Sequence, residues 1–263
     1  MALFDFLKKD RKKKESKQSN ILLAMPIFKS GDSYQLDKVI DNIETFWNLT
    51  VTDIEGDDKA ASFTISGESI AIANMPVEIP WGDIEGTAQY AYNWPSALKD
   101  LEVHTGHAIV SIMASQKSPI ERFKILSKVL GSILLTSNAI AIYQGTQSLL
   151  IPRNQYLDHI EELKENGSPV ALWIYIGLRK LSTGNCAYTY GLKEFEKNEI
   201  EIVDSKLSLE ELFDFIFNIT SYIISSDVTL KSGETIGLTA EQKIPIKLSK
   251  GEFVERQSFK LEI

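Results

Sequence analysis

Two capping boxes set the strongest constraint on what this chain folds into. They are Ser118-Pro119-Ile120-Glu121 and Ser208-Leu209-Glu210-Glu211. In each, a Ser at the N-cap accepts from the backbone three residues on, and the Glu there reaches back to the cap; Pro119 adds a preset first helical position. Phe123, Leu126, Leu130, Ile133 and Leu134 then recur at helical spacing, which predicts a core helix over Ser118–Leu135. The second box opens a helix over Ser208–Ile224 with Leu209, Leu212, Phe213, Ile216, Ile219 and Ile223 on one stripe. Phe215 and Phe217 fall off that stripe, so this helix is expected to be covered on two sides.

Around these helices the apolar runs are mostly strand-length. Ile21–Phe28 reads as a buried strand, and Ser33–Trp47 as an amphipathic helix. Leu49–Ile54, Ala60–Ile65 and Ser69–Met75 follow as a meander with turns at Gly56-Asp57-Asp58 and Ser66-Gly67-Glu68. Asp83–Tyr92 and the stretch from Trp94 to Asp100 read as short helices, and His107–Ala114 as a strand. Asn154–Glu165 is a further helix ended by Asn166-Gly167, and Val170–Arg179 a buried strand. Asn185–Thr189, Ile200–Val203, Thr235–Leu238, Ile244–Leu248 and Phe259–Ile263 complete the strands. Strands clustered in meanders predict an α+β fold, mainly antiparallel, with capped helices packed on the sheet. Two ferredoxin-like halves, 21–150 and 151–263, or one continuous domain both fit this order, with the boundary in Gly145–Pro169.

Charge separates the first twenty residues from the rest. They hold seven Lys and Arg against three Asp and Glu, a balance of +4 in a chain of net charge -8, so residues 21–263 carry -12. Residues 1–20 are expected to form a basic flexible arm. Its apolar start, Leu3, Phe4, Phe6 and Leu7, suits a weak contact with an anionic membrane surface or a partner. The acidic remainder argues against nucleic acid and for a basic protein partner. No run is long enough to span a bilayer. Cys186, the single cysteine, excludes an internal disulfide and suits a reducing cytoplasm.

Candidate functional residues gather between Trp81 and His107. Two of the three histidines, His104 and His107, lie three apart, and Asp83 and Glu85 stand upstream after Trp81. Imidazoles with carboxylates are the chemistry of metal ligation and acid/base catalysis. The competing reading is structural, with one ring bonded to a backbone carbonyl and the other to a carboxylate. Trp81, Tyr90, Tyr92 and Trp94 fall within fourteen residues and are partner anchors if exposed. Thr189-Tyr190-Gly191-Leu192 and Gly233-Glu234-Thr235-Ile236-Gly237 are turns that suit a pocket rim. Cys186 lacks a basic sequence neighbour and reads as a small buried residue. No dinucleotide fingerprint, phosphate-binding loop or nucleophile elbow occurs.

Several of these segments resemble a bacterial family, the domain of unknown function family 4261. They are Trp81-Gly82-Asp83-Ile84-Glu85, His104 to His107 running into Ile109-Val110-Ser111, Tyr190-Gly191-Leu192, Glu199-Ile200-Glu201-Ile202 and Gly233 to Gly237. The resemblance covers most of 21–263 and is strongest from Val170 onward. It implies a cytoplasmic bacterial protein and brings no activity, cofactor or catalytic residue. The expectation is therefore a non-enzymatic protein that recognises a protein partner, as an immunity-type or adaptor protein does, with Trp81, Asp83, Glu85, Trp94, His104 and His107 as binding residues. No cofactor or metal is expected. The alternative is a metal-binding protein or enzyme built on Asp83–His107.

Overall fold

A computed structural model describes residues 21–113, 117–239 and 241–263. The basic arm expected over residues 1–20 lies outside the described residues. The described residues form six α-helices and thirteen strands in two mainly antiparallel sheets, the α+β class expected.

The first sheet is built from β1 (Leu22–Lys29), β2 (Val51–Gly56), β3 (Ala60–Ile65), β4 (Glu68–Met75), β5 (His104–Ile112), β6 (Ala141–Gln144) and β7 (Leu149–Pro152). Their order is β2-β3-β4-β5-β1-β6-β7, antiparallel throughout. Helices α1 (Leu36–Phe46) and α4 (Pro119–Thr136) cover one face, over Ala24, Phe28, Val110 and Ile112. Successive strand residues point to opposite sides, so Ile27 faces the other way. It packs there with Ile79, Ile84 and Leu101 around α2 (Trp81–Ala88) and α3 (Ala97–Leu101).

The second sheet runs β11-β12-β13-β10-β9-β8, with β8 outermost. Its strands are β8 (Tyr175–Lys180), β9 (Asn185–Tyr190), β10 (Glu199–Ser205), β11 (Thr235–Ile236), β12 (Ile244–Lys250) and β13 (Gln257–Leu261). The β10–β13 pair is parallel and the others are antiparallel. Helix α6 (Leu209–Ser225) packs on β8 and β9. The seven- and six-stranded sheets are larger than ferredoxin-like units.

Both capping boxes form: Ser118 and Ser208 each accept from the backbone N–H of Glu121 and Glu211, whose carboxylates return to the cap. Helix α4 also joins the two sheets. Phe123 stacks on Phe195 at 4.5 Å and meets Trp173 at 5.7 Å, and the Trp173 indole donates to Ser127 Oγ at 2.8 Å. One apolar core runs from Leu22 to Leu261 through this junction.

Several boundaries differ from the sequence reading. Val170–Arg179 is not one strand: a 3-10 turn, Val170–Leu172, precedes β8. Docking of Trp173 against α4 bends the run there, and apolarity alone cannot separate a buried turn from a buried strand. Asn154–Glu165 is α5 (Arg153–Ile160) continued as a 3-10 turn, Glu161–Glu165. Helix α2 stops at Ala88, and β5 starts at His104, so both candidate histidines stand on a strand.

Candidate functional site, a tyrosine-lined groove

The face of the second sheet turned away from α6 is paved with tyrosine. Alternation along β9 puts Tyr188 and Tyr190 on one side, and the register sets Tyr175 opposite Tyr190 and Gly177 opposite Tyr188. The rings of Tyr175 and Tyr188 meet edge to face at 6.1 Å. Tyr90 and Tyr92, in the turn after α2, reach Tyr175 at 5.7 and 6.3 Å. From Tyr92 the array continues to Phe213 at 6.5 Å and to Phe217, stacked on Phe213 at 5.8 Å. These two phenylalanines are half-buried on α6. The Tyr92 hydroxyl donates to the Ile176 carbonyl at 3.0 Å, and burial pushes its pKa up to about 12. Burial also raises the Tyr175 phenol, with Tyr188 and Tyr92 adding to it, so both hydroxyls are donors at neutral pH.

Two buried carboxylates on β10 hold the far side. Glu199 accepts from Thr189 Oγ1 at 2.8 Å, from the Gly191 N–H at 2.8 Å and from the Lys193 N–H at 3.4 Å. Burial raises its pKa, against the pull of those donors. Gly191 sits at φ 122°, a conformation that favours glycine, and so aims its N–H at the carboxylate. Glu201, fully buried, accepts from the N–H groups of Glu252 at 3.1 Å and Phe253 at 2.6 Å, from Ser258 Oγ at 2.5 Å, and from Lys260 Nζ. That anchorage lays Phe253 on Tyr188, centroids 5.1 Å apart and 21° from parallel.

Two cavities open along this face. One, of about 350 Å³, lies among Tyr188, Tyr190, Lys193, Phe253 and Arg256. The other, of about 360 Å³, is walled by Leu149, Ile151, Ile174, Phe213 and Phe217. Tyr90, Ser148 and Tyr175 line both, so the two form one groove between the β7 end of the first sheet and the β8 edge of the second. Lys193 Nζ stands 5.4 Å from the Tyr190 ring centre. The groove offers aromatic faces, phenolic donors and a charged rim. Its two buried carboxylates already hold up turns.

The six residues expected from sequence lie elsewhere, and none lines this groove. Trp81 opens α2, partly exposed, and stacks on the His104 ring at 6.3 Å. Asp83 and Glu85 are exposed on the same helix. Trp94 is half-buried and donates to Asp100 Oδ2 at 2.8 Å. His104 and His107 are both buried. Nδ1 of His104 bonds the Leu101 carbonyl at 2.6 Å and Nδ1 of His107 the Val77 carbonyl at 2.9 Å. The carboxylate expected beside one of the rings is absent from these bonds; β5 and its preceding turn bring backbone carbonyls there instead. A carbonyl only accepts, so each Nδ1 carries a proton. The buried Nε2 of His104 has no hydrogen-bond partner among the described residues. Burial lowers the His107 pKa, the Val77 carbonyl opposes this, and His104 adds to it. Among the described residues no group of three or more His, Cys, Asp or Glu is placed to hold a metal ion. Cys186 is buried, and its sulfur accepts from the Asp204 N–H at 3.4 Å.

Tyr175, Tyr188 and Phe253 carry no role in the sequence reading, and Phe213, expected on the core stripe of α6, is half-buried against Tyr92 instead. The readable signals were the Tyr188-x-Tyr190 alternation and Glu199-x-Glu201, each putting like side chains on one strand face.

Residues 188–262 match the family model described as a domain of unknown function, DUF4261. The match takes in Tyr188, Tyr190, both buried glutamates, Phe213 and Phe253, and leaves Trp81 to His107 outside. No curated protein and no solved structure matches the chain. Among the described residues no helix is long and apolar enough to cross a membrane.

Proposed function

We propose that this chain, which matches the DUF4261 family model over residues 188–262, is a non-enzymatic binding protein that takes a segment of a protein partner into the tyrosine-lined groove. The observation that carries this reading is the junction of two cavities at Tyr90, Ser148 and Tyr175. Aromatic rings already packed on one another lose little side-chain freedom when a ligand arrives, and tyrosine supplies both an apolar face and a hydroxyl. Cavities of this size, mostly apolar with a few placed polar groups, are the common form of a ligand site. The carboxylates at the site are engaged with Gly191, Phe253 and Ser258, which suits a scaffold role better than proton transfer. The same reading makes it a bacterial protein of the cytoplasm, in keeping with a single buried cysteine.

The test is selection of a random displayed peptide library on the immobilised protein, repeated on Ala171→Trp, which fills the apolar cavity. Peptides that bind the parent and lose binding to a folded Ala171→Trp variant support the reading. Peptides that bind both alike, or a selection that yields none, overturn it.

A further inference from the structure

We infer that the segment this groove takes carries a bulky apolar residue followed closely by a carboxylate. The inference rests on the groove being the binding site, and it runs against the chain's overall charge. Residues 21–263 carry -12, which favours a basic partner at long range. The groove is different locally. Three cations, Lys193, Lys197 and Arg256, and two acids, Glu199 and Glu255, line its polar cavity. Lys197 is bonded to Asp227 at 2.8 Å. The Glu199 oxygens are occupied by Thr189, Gly191 and Lys193, so this carboxylate is not free to meet an incoming cation. Lys193 comes no nearer than 4.0 Å to Glu194, and its ammonium lies against the Tyr190 ring. Lys193 and the exposed Arg256 therefore face the cavity, with Glu255 also on its lining and Glu194 4.0 Å from the Lys193 ammonium.

The neighbouring cavity asks for the other half of the ligand. Its wall of Leu149, Ile151, Ile174, Phe213 and Phe217 is apolar, with Asn93, Gln155 and His159 as the polar part of its lining. Tyr175 belongs to both cavities, so an apolar side chain seated against Phe213 leaves the next residues of its own chain beside the cationic rim. An extended chain advances roughly 3.3 Å per residue, so in adjoining cavities the anchor and the carboxylate lie close in sequence. The Tyr175 hydroxyl at the junction, its pKa raised by burial, adds a donor to a carboxylate and no charge of its own to repel it.

The experiment is isothermal titration with acetylated, amidated octapeptides sharing a Gly-Ser frame. Their central triplets are Phe-Ser-Glu, Phe-Ser-Gln, Phe-Ser-Lys and Ala-Ser-Glu. The Phe-Ser-Glu peptide should bind about three- to fivefold more tightly than Phe-Ser-Gln, the size an exposed ion pair gives. Phe-Ser-Lys should bind more weakly than either, and Ala-Ser-Glu should lose most of the affinity. Raising the salt should shrink the Glu preference. The double substitution Lys193→Gln with Arg256→Gln should erase it, so that the Glu and Gln peptides bind the variant alike. A Lys peptide that binds as well as the Glu peptide, or a Glu preference that survives the double substitution, overturns the inference. If all the Phe peptides bind alike and Ala171→Trp abolishes them, the groove stands and the acidic preference falls. If none binds at millimolar concentration, both fall.

Discussion

The ring of Tyr188 occupies the space a side chain at Gly177 would need. A Cβ built on Gly177 would stand 2.6 Å from the Tyr188 hydroxyl oxygen and closer still to the ring. The absent side chain at Gly177 is what lets Tyr188 lie across the sheet and meet both Tyr175 and Phe253. Gly177→Ala should therefore cost about 1–3 kcal/mol through overpacking. In a Tyr188→Ala background the same change should cost almost nothing, a coupling that a double-mutant cycle of chemical melts measures. Equal costs in both backgrounds would show that the ring does not depend on this position.

The two long helices carry much of the core. Leu130 and Ile216 are both fully buried. Truncation of either to Ala should lower stability by about 2–5 kcal/mol, because the lost methylenes leave a cavity behind. Thermal melts that do not move would mean these faces are not packed.

Glu201 gathers donors from Glu252, Phe253, Ser258 and Lys260. Replacing it by Gln should remove the ion pair with Lys260, which keeps its bond to Ser258 Oγ, and cost about 1–3 kcal/mol. It should also loosen Phe253 from Tyr188 and so reduce the near-ultraviolet circular dichroism of the tyrosines. Loss of stability with an unchanged aromatic signal would separate the two effects and show that the turn holds itself.

His107 makes stability depend on pH with a defined sign. Its folded pKa is lowered, chiefly by burial. An unfolded imidazole titrates near ~6.5, so between that value and the folded one the unfolded chain binds the extra proton. The contribution is complete above ~6.5 and is lost as pH falls through the folded pKa. Melts of the parent and of His107→Gln, taken from about pH 7.5 to about pH 5, should converge as pH falls. A difference that stays constant or widens would contradict the sign.

His104 serves the fold through the Leu101 carbonyl. His104→Ala should cost about 1–3 kcal/mol by orphaning that acceptor, and elemental analysis of the parent should find no stoichiometric transition metal. Metal present in the parent and lost with His104→Ala would revive the Asp83–His107 site.

What the sequence made legible was local. The Ser118 and Ser208 boxes and the stripe from Leu212 to Ile223 are periodic signals within one turn or one helix, and the helices formed where they pointed. The groove is the opposite case. Tyr92 meets a carbonyl 84 residues away, and Phe253 is placed by a carboxylate 52 residues before it. Tyr175 and Tyr190 come together only through strand register. None of these distances has a period. The histidines drew attention because rare side chains close in sequence suggest shared chemistry, yet their partners are backbone carbonyls, which every residue possesses.

Tyr92 also bears on how this chain avoids itself. The outer strand of a sheet presents a row of carbonyls and amides on which a second copy can template, and long bare edges seed aggregation. The Tyr92 phenol bonds the carbonyl of Ile176, the second residue of β8, and its ring, half in water, stands over that edge. A crowded cell thus meets a border already bonded where it begins, guarded by a residue from the other sheet's side of the molecule.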